Sequence, residues 1–108
     1  MIDFKSIKES ELPNFRGGEG SLLTRCFVGK TIRIAETTLK KGVSMGFHAH
    51  DSSCEIIYVI SGIATCTIDG REEIVSAGEC HYCPKGSDHS IKNEHDEDLV
   101  IFDVVDGQ

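Results

Sequence analysis

Glycine-containing turn signals recur along the sequence, in most cases about a dozen residues or fewer apart. Between them lie short runs rich in Ile, Val, Thr, Phe and Tyr, such as residues 31–34, 56–60 and 99–105. Short β-prone runs at this spacing are typical of an all-β sandwich or barrel. One of the turns, Asp69-Gly70, has the preferred composition of a two-residue β-hairpin. Because no segment keeps a helical apolar period over three turns, we predict an all-β fold.

The length of the chain limits it to one domain. A chain of 108 residues corresponds to a single unit of ordinary domain size. We expect residues 1–20 to form an N-terminal arm that leads into the first strand. Residues 21–108 are then expected to form a single β-barrel domain. The sequence contains no internal repeat or low-complexity tract that would favour another division.

The charge balance argues against partners that need a basic surface. The chain carries 11 Lys and Arg residues against 18 Asp and Glu residues, a formal net charge of −7. We therefore expect neither nucleic acid nor an anionic membrane as a partner. The first residues lack the pattern of a signal peptide, and no apolar run approaches the about 20 residues of a membrane span, so we expect a cytoplasmic protein. Five cysteines, an odd number, then predict free thiols rather than a disulfide framework.

Three histidines and one glutamate occupy positions that a β protein can bring together. His48 and His50 are two residues apart, and such residues face the same side of a strand. The turn that follows reverses the chain, and Glu55 opens the next apolar strand. His89 comes directly after a turn at residues 84–88. Three imidazoles and one carboxylate form a mixed nitrogen and oxygen site for a divalent transition metal, and a six-coordinate ion would keep two positions open.

The spacing of ten residues resembles two signatures of the cupin superfamily. The first signature, G-x5-H-x-H-x4-E-x6-G, is matched by Gly42, His48, His50, Glu55 and Gly62. The second signature, G-x5-P-x-G-x2-H-x3-N, is matched by Gly78, Pro84, Gly86, His89 and Asn93. Only residues 63–77 separate the two, so the chain resembles a small single-domain microbial cupin of the cupin 2 type.

This resemblance implies a double-stranded antiparallel β-helix, that is, a jelly-roll barrel of RmlC-like type. It also implies that His48, His50, Glu55 and His89 ligate one divalent transition metal ion, which in the family is iron, manganese, nickel, copper or zinc. Thiol dioxygenases of the family typically lack the glutamate, so the presence of Glu55 argues against that subgroup. One fold hosts many reactions, so the family does not define the activity.

Two classes of function follow from the resemblance. The first is a small metal-dependent enzyme of the oxygenase, isomerase or decarboxylase class that acts on a small polar molecule. The second is a non-catalytic module that binds or senses such a molecule. An enzyme needs a proton-transfer group near the metal in addition to the ligands, and the sequence offers only Tyr82 as a candidate.

The segment that contains Tyr82, Cys80-His81-Tyr82-Cys83, has two interpretations. A structural zinc site normally needs two cysteine pairs on converging turns, whereas Cys80 and Cys83 on one strand point to opposite faces. We therefore expect semi-buried free thiols. By alternation, Cys80 and Tyr82 share one face and His81 and Cys83 share the other. If the first pair faces inward, Tyr82 lies at the pocket, where it either donates a proton or only packs.

Three charged residues outside the two signatures are also of interest. Arg25 and Arg33 could reach a substrate carboxylate, although on outer strands such residues are more often at the surface. Glu73 lies at a position of the strand 71–75 whose alternation predicts an inward side chain, and the sequence offers no reason for a carboxylate there.

The strand after the histidine pair predicts a homodimer. If Glu55 is a ligand, Ile57 and Val59 also face inward, and Ile56, Tyr58 and Ile60 face outward. Monomers rarely leave such an apolar patch exposed. We therefore expect two copies to pair through this face about a two-fold axis, with coverage by the arm as the alternative.

Overall fold

The computed structural model describes residues 1–107, which form ten β-strands and two short 3-10 helices. The strands are β1 Ser10–Pro13, β2 Ser21–Val28, β3 Ile32–Leu39, β4 Ser44–Ala49, β5 Cys54–Ser61, β6 Ile63–Ile68, β7 Arg71–Ser76, β8 Cys80–Cys83, β9 Asp88–Lys92 and β10 Leu99–Asp106. The 3-10 helices are Phe4–Ser6 and Phe15–Gly17. The described residues contain no helix long and apolar enough to cross a membrane. The predicted all-β class is confirmed.

The strands form two antiparallel sheets with a jelly-roll arrangement. The larger sheet has the order β1-β2-β3-β10-β5-β8, and the smaller sheet has the order β4-β9-β6-β7. From β3 onward the chain passes repeatedly from one sheet to the other, and the consecutive strands β4 and β5, for example, lie in different sheets. This crossing places the residues of β4 and β9 opposite those of β5.

The space between the sheets is filled by an apolar core to which both sheets contribute. Strand β10 alternates between buried and half-buried residues along its length, as expected for a strand with one inward face. Residues from both sheets form the core cluster: Leu22, Leu39, Val43, Met45, Ile57, Val59, Ala64, Cys66, Val75, Ile91, Leu99 and Ile101. None of the four predicted metal ligands belongs to this cluster, so the core does not depend on them for its packing.

Residues of the sequence motifs shape turns in the structure. Asp69 and Gly70 connect β6 to β7 with φ angles of 48° and 81°, and positive φ at both positions is the requirement of a type I′ hairpin turn. This confirms the predicted hairpin. Asn93 is buried after β9, where its side-chain amide donates hydrogen bonds to the carbonyls of Leu39 (2.9 Å) and Glu97 (2.7 Å). The asparagine of the second signature therefore ties the segment after β9 to the end of β3.

The first strand begins earlier than the sequence predicts. Within the predicted arm, β1 pairs with β2 and forms one edge of the larger sheet. The preceding 3-10 helix lies against the outside of the same sheet, where Phe4 makes an edge-to-face contact with Phe102 at a centroid distance of 6.0 Å. Arg25 donates a hydrogen bond to the backbone carbonyl of Ile7. The segment 1–20 is therefore partly a component of the larger sheet.

The outer face of β5 and β8 carries a patch of large apolar side chains. Ile56, Tyr58, Ile60 and Tyr82 are 40%, 42%, 45% and 55% exposed, and we call these four residues the outer patch. Ile56 and Tyr82 are partners in the β5–β8 ladder, which makes the patch continuous. The predicted alternation of β5 is confirmed, because Glu55, Ile57 and Val59 are buried. The arm packs near Phe102 and leaves the outer patch exposed.

We propose that two copies of the chain pair through the outer patch. Replacing Tyr58 and Ile60 with Lys places two charges in the interface, so the doubly substituted protein should elute as a smaller species than the wild type. Size-exclusion chromatography with light scattering measures the masses. Ile74→Lys is the control, because Ile74 is 56% exposed on β7 of the other sheet. A wild-type mass near 11.8 kDa, the mass of one chain, would contradict the prediction.

The cysteines give a second prediction. All five are free thiols, and Cys66 and Cys83 are fully buried. Burial raises the pKa of Cys66 to about 12 and that of Cys83 to about 11, so neither forms the reactive thiolate near neutral pH. In the native protein these two thiols should resist a thiol reagent, and after denaturation without reductant all five should react. Protection of four thiols after denaturation would instead indicate two disulfides.

Candidate metal centre

The four predicted ligands meet between the two sheets at one end of the sandwich. His48 lies near the end of β4 and is paired with His89 of β9 in the smaller sheet. Glu55 lies in β5 of the larger sheet. His50 follows β4, and its backbone is held in place because its amide donates to the Ser87 carbonyl at 2.9 Å. His50, Glu55 and His89 are buried, and His48 is half-buried.

The ligand atoms of these residues converge on one point. The Glu55 Oε1 atom lies 2.9 Å from His50 Nε2, 2.9 Å from His89 Nε2 and 3.7 Å from His48 Nε2. The His89 Nε2 atom lies 3.0 Å from His50 Nε2 and 3.1 Å from His48 Nε2. Within residues 1–107 this is the one group of three or more His, Cys, Asp or Glu side chains whose donor atoms lie close enough to share an ion.

The separations of these donor atoms fit a divalent metal ion. Ligands at right angles around an ion with bonds of about 2.1 Å lie about 3.0 Å apart. Four of these five ligand-to-ligand distances lie between 2.9 and 3.1 Å. Nitrogen donors from imidazole and one carboxylate oxygen are also the ligands that iron, copper, nickel and zinc accept. The residues therefore suit the metal that the sequence predicts.

The far side of each imidazole ring is also engaged, which leaves its Nε2 atom free for the cluster. The His48 Nδ1–H donates to the Gly46 carbonyl at 2.8 Å, and the His50 Nδ1 atom lies 2.9 Å from the Ser53 hydroxyl. A neutral imidazole has one proton, so a proton on Nδ1 leaves a lone pair on Nε2. Such partners orient metal-binding histidines in proteins generally. The His89 Nδ1 atom faces another imidazole, His81, at 3.0 Å.

The pKa values of the cluster follow from burial and from the groups that surround each side chain. Burial on its own raises the pKa of Glu55, but the adjacent imidazoles of His48, His50 and His89 outweigh burial and hold that pKa far below its ordinary value. Burial lowers the pKa of His89. An ionised carboxylate and a neutral imidazole are the protonation states that bind metals.

A cavity of about 360 Å³ opens beside the cluster and reaches along the inner face of the larger sheet. His48, His50 and Glu55 form part of its wall. Apolar residues such as Leu22 and Met45 form another part. A cavity of this size accommodates a small molecule next to the cluster.

Charged and hydroxyl groups line the same cavity on strands β2, β3 and β10. They are Arg33, Asp103 and the pair Thr24 and Thr37, whose hydroxyls are 2.8 Å apart. Arg33 Nε and Asp103 Oδ1 are buried without a hydrogen-bond partner in the described residues. Burial and the negative charge of Glu55 raise the pKa of Asp103 well above its ordinary value. Buried polar atoms without partners are uncommon, and here both residues line a space that a ligand can enter.

The structure places some of the other residues differently from the sequence expectation. Tyr82 is exposed on the outer patch rather than at the cavity, because in β8 it is His81 and Cys83 that face inward. The condition under which Tyr82 was a catalytic candidate is therefore not met. Arg33 lines the cavity instead of lying at the surface, whereas Arg25 does not line it. Cys80 and Cys83 do lie on opposite faces, as expected.

Sequence reasoning missed Asp103 and His81. Asp103 interrupts an otherwise apolar strand at an inward position, and this polar residue on a buried face was the available signal. His81 was placed only on the same face as Cys83. Glu73, whose inward position the sequence does not explain, accepts a hydrogen bond from the fully buried His81 at 2.7 Å.

The fold and the site together define a jelly-roll protein with three histidines and one glutamate gathered between its sheets. The sequence profile of the cupin domain matches residues 35–105, which include all four of these residues. The chain belongs to the cupin family.

Similar proteins are found both by sequence and by structure. The oxalate-binding protein of Thermotoga maritima is 30% identical over 97% of this chain and 92% of its own length. The oxalate decarboxylase OxdC of Bacillus subtilis is 34% identical over 71% of this chain, which corresponds to 21% of that longer enzyme. A solved structure of a predicted oxalate decarboxylase from Thermotoga maritima superposes with a TM-score of 0.93, at 26% identity, over 100% of this chain and 99% of its own.

Loss of one ligand should abolish metal binding. In His50→Ala the remaining three donors hold an ion weakly, so metal analysis of protein purified without nickel resin should find close to none. The circular-dichroism spectrum should remain that of a β protein, because the apolar core excludes the cluster. His95→Ala is the control, since His95 is exposed in the turn before β10. Wild-type metal content in His50→Ala would contradict the assignment.

Proposed function

We propose that this cupin holds one divalent transition metal ion through His48, His50, Glu55 and His89, and that it binds a small carboxylate beside the ion. The convergence of three imidazoles and one carboxylate carries the proposal, because His48, His50 and Glu55 of this group form part of the wall of a cavity. The names of two similar proteins, one oxalate-binding and one an oxalate decarboxylase, support a small carboxylate as the ligand class. A bound metal would act as a Lewis acid that polarises a coordinated carboxylate.

The residues of the cavity supply the other requirements of anion binding. Arg33 offers a positive charge and a buried Nε–H that has no partner among the described residues. The Thr24 and Thr37 hydroxyls lie in the same cavity and are able to donate hydrogen bonds. Because apolar side chains form part of the wall, the attraction between Arg33 and an anion is stronger there than in bulk water.

The role of Arg33 is tested by calorimetric titration of the zinc-loaded protein with oxalate. A charge-assisted hydrogen bond contributes about 1.5–3 kcal/mol, so Arg33→Met should weaken oxalate binding by about 10- to 100-fold. Arg25→Met is the matched control, because Arg25 lies on β2 next to β3 but does not line the cavity. Equal affinities of Arg33→Met and Arg25→Met, or oxalate binding that survives removal of the metal, would contradict the proposal.

A catalytic function is the second candidate, and Asp103 favours it. Asp103 is a buried carboxyl group that lies in the cavity without being one of the four converging ligands. On β10 it pairs with Ile57, and its inward neighbour Val105 pairs with Glu55. Asp103 therefore supplies the proton-transfer group that an enzyme needs and that Tyr82 does not provide.

Turnover distinguishes an enzyme from a binding module. The protein is loaded in turn with iron, manganese, nickel, copper and zinc and incubated with oxalate, and formate is measured. A decarboxylase releases formate, and Asp103→Asn should abolish the release while oxalate still binds. Oxalate binding without formate from any metal form would contradict a decarboxylase and favour the non-catalytic alternative.

A further inference from the structure

A fourth histidine lies directly behind the cluster and connects it to the surface of the smaller sheet. His81 in β8 is fully buried, and its Nε2 atom lies 3.0 Å from His89 Nδ1. On its other side, His81 Nδ1 lies 2.7 Å from Glu73 Oε1. Glu73 is in β7, and its side chain is 41% exposed. Two hydrogen bonds in series therefore connect the partly exposed carboxylate of Glu73 to His89, a predicted metal ligand.

The imidazoles of His81 and His89 lie edge to edge in one plane. The planes of His81 and His89 differ by 8°, and the ring centroids are 5.2 Å apart. With only 3.0 Å between the facing nitrogens, the contact is an in-plane hydrogen bond rather than a face-to-face stack. Such a bond has a direction, because one nitrogen must donate and the other must accept.

Glu73 determines that direction. An ionised carboxylate only accepts hydrogen bonds, so His81 must carry its proton on Nδ1 to donate to Glu73. A neutral His81 then has a lone pair on Nε2, which accepts from His89 Nδ1–H. This leaves the lone pair of His89 on Nε2, the atom that faces His48, His50 and Glu55. The opposite direction would put the proton of His89 on Nε2 and block that atom as a ligand.

His89 needs a partner that fixes its tautomer more than His48 and His50 do. The carbonyl of Gly46 is an acceptor only, so it fixes the tautomer of His48 without help. The hydroxyl next to His50 rotates and accepts readily. An imidazole, by contrast, either donates or accepts from the same nitrogen. His81 therefore accepts a hydrogen bond from His89, rather than donating one, only because the Glu73 carboxylate binds the other ring nitrogen of His81.

We propose that Glu73 and His81 are positioning residues of the metal centre, which select the tautomer of His89 that exposes Nε2 to the metal. This inference rests on the metal-binding function proposed above. It also explains two features that packing does not explain, namely a fully buried polar ring in β8 and a carboxylate at an inward position of β7. Neither residue touches the ligand cavity, so their effect is on metal binding rather than on substrate contact.

The metal test compares two glutamates that are adjacent in the chain. Glu73→Gln removes the carboxylate but leaves an amide that can donate or accept, so the direction of the hydrogen bonds from Glu73 through His81 to His89 is no longer imposed. Partners of this kind typically change metal affinity by 10- to 100-fold, and we expect zinc affinity, measured by competition with a chromogenic chelator, to fall by about tenfold or more. Glu72→Gln is the matched control, since it removes the same charge from an exposed side chain on the other face of β7.

The outcomes separate this inference from the proposed function. Zinc binding by the wild type with equal affinities for Glu73→Gln and Glu72→Gln would overturn the positioning role and leave the metal site intact. A wild type that binds no zinc would overturn the proposed function and, with it, the metal-positioning role. Weaker binding by Glu73→Gln alone supports both.

A second measurement tests the direction without relying on a variant that folds. Nitrogen NMR of ¹⁵N-histidine-labelled, metal-free protein reports which ring nitrogen carries the proton. We expect His81 and His89 in the wild type to be Nδ1–H tautomers, and Glu73→Gln to show an increased Nε2–H population at both His81 and His89. A purely structural role for Glu73 would leave the tautomer ratio of His89 unchanged. An Nε2–H tautomer of His81 in the wild type would overturn the inference.

Discussion

The burial of Glu55 among three imidazoles is the interaction on which the rest of the site depends. A carboxylate taken out of water is costly unless charged or hydrogen-bonding groups surround it, and here its near partners are three ring nitrogens and the carboxyl group of Asp103. The two sheets must meet at this point, because Glu55 comes from the larger sheet and His48 and His89 come from the smaller one. A metal ion bound here would resolve the arrangement, since its positive charge would compensate the carboxylate and its coordination would use the nitrogen lone pairs.

The apolar sandwich and the polar site perform separate tasks. The core cluster is built from aliphatic and cysteine side chains of both sheets and does not include the four ligands. We therefore expect the fold to form without metal and to hold the ligands in position before an ion binds. Hydrogen bonds behind His48, His50 and His89 then hold each ring in place. The cavity with Arg33 and Asp103 extends from this centre along the inner face of the larger sheet.

Much of this was predictable from the sequence, and the exceptions have a common cause. The spacing of the two motifs predicts the ligands. The inward position of Glu55 then predicts which side chains of β5 face inward and which face outward, because side chains alternate along a strand and one fixed residue sets the pattern. Strand β8 offered no such residue, since Cys80 and Tyr82 suit a core as well as His81 and Cys83 do. Arg33 and Asp103 could not be assigned to the cavity because this requires knowing that β3, β10 and β5 are neighbours in the sheet. Alternation within a strand contains no information about which strands lie side by side.

X-ray absorption spectroscopy of the zinc-loaded protein tests most directly whether three imidazoles and one carboxylate of this chain bind the metal. We predict a shell of nitrogen and oxygen atoms at about 2.0–2.2 Å and the outer-shell scattering of three imidazole rings. A sulfur shell at about 2.3 Å would mean that cysteines bind the zinc. Such a shell, or scattering from fewer than three imidazoles, would contradict this set of ligands.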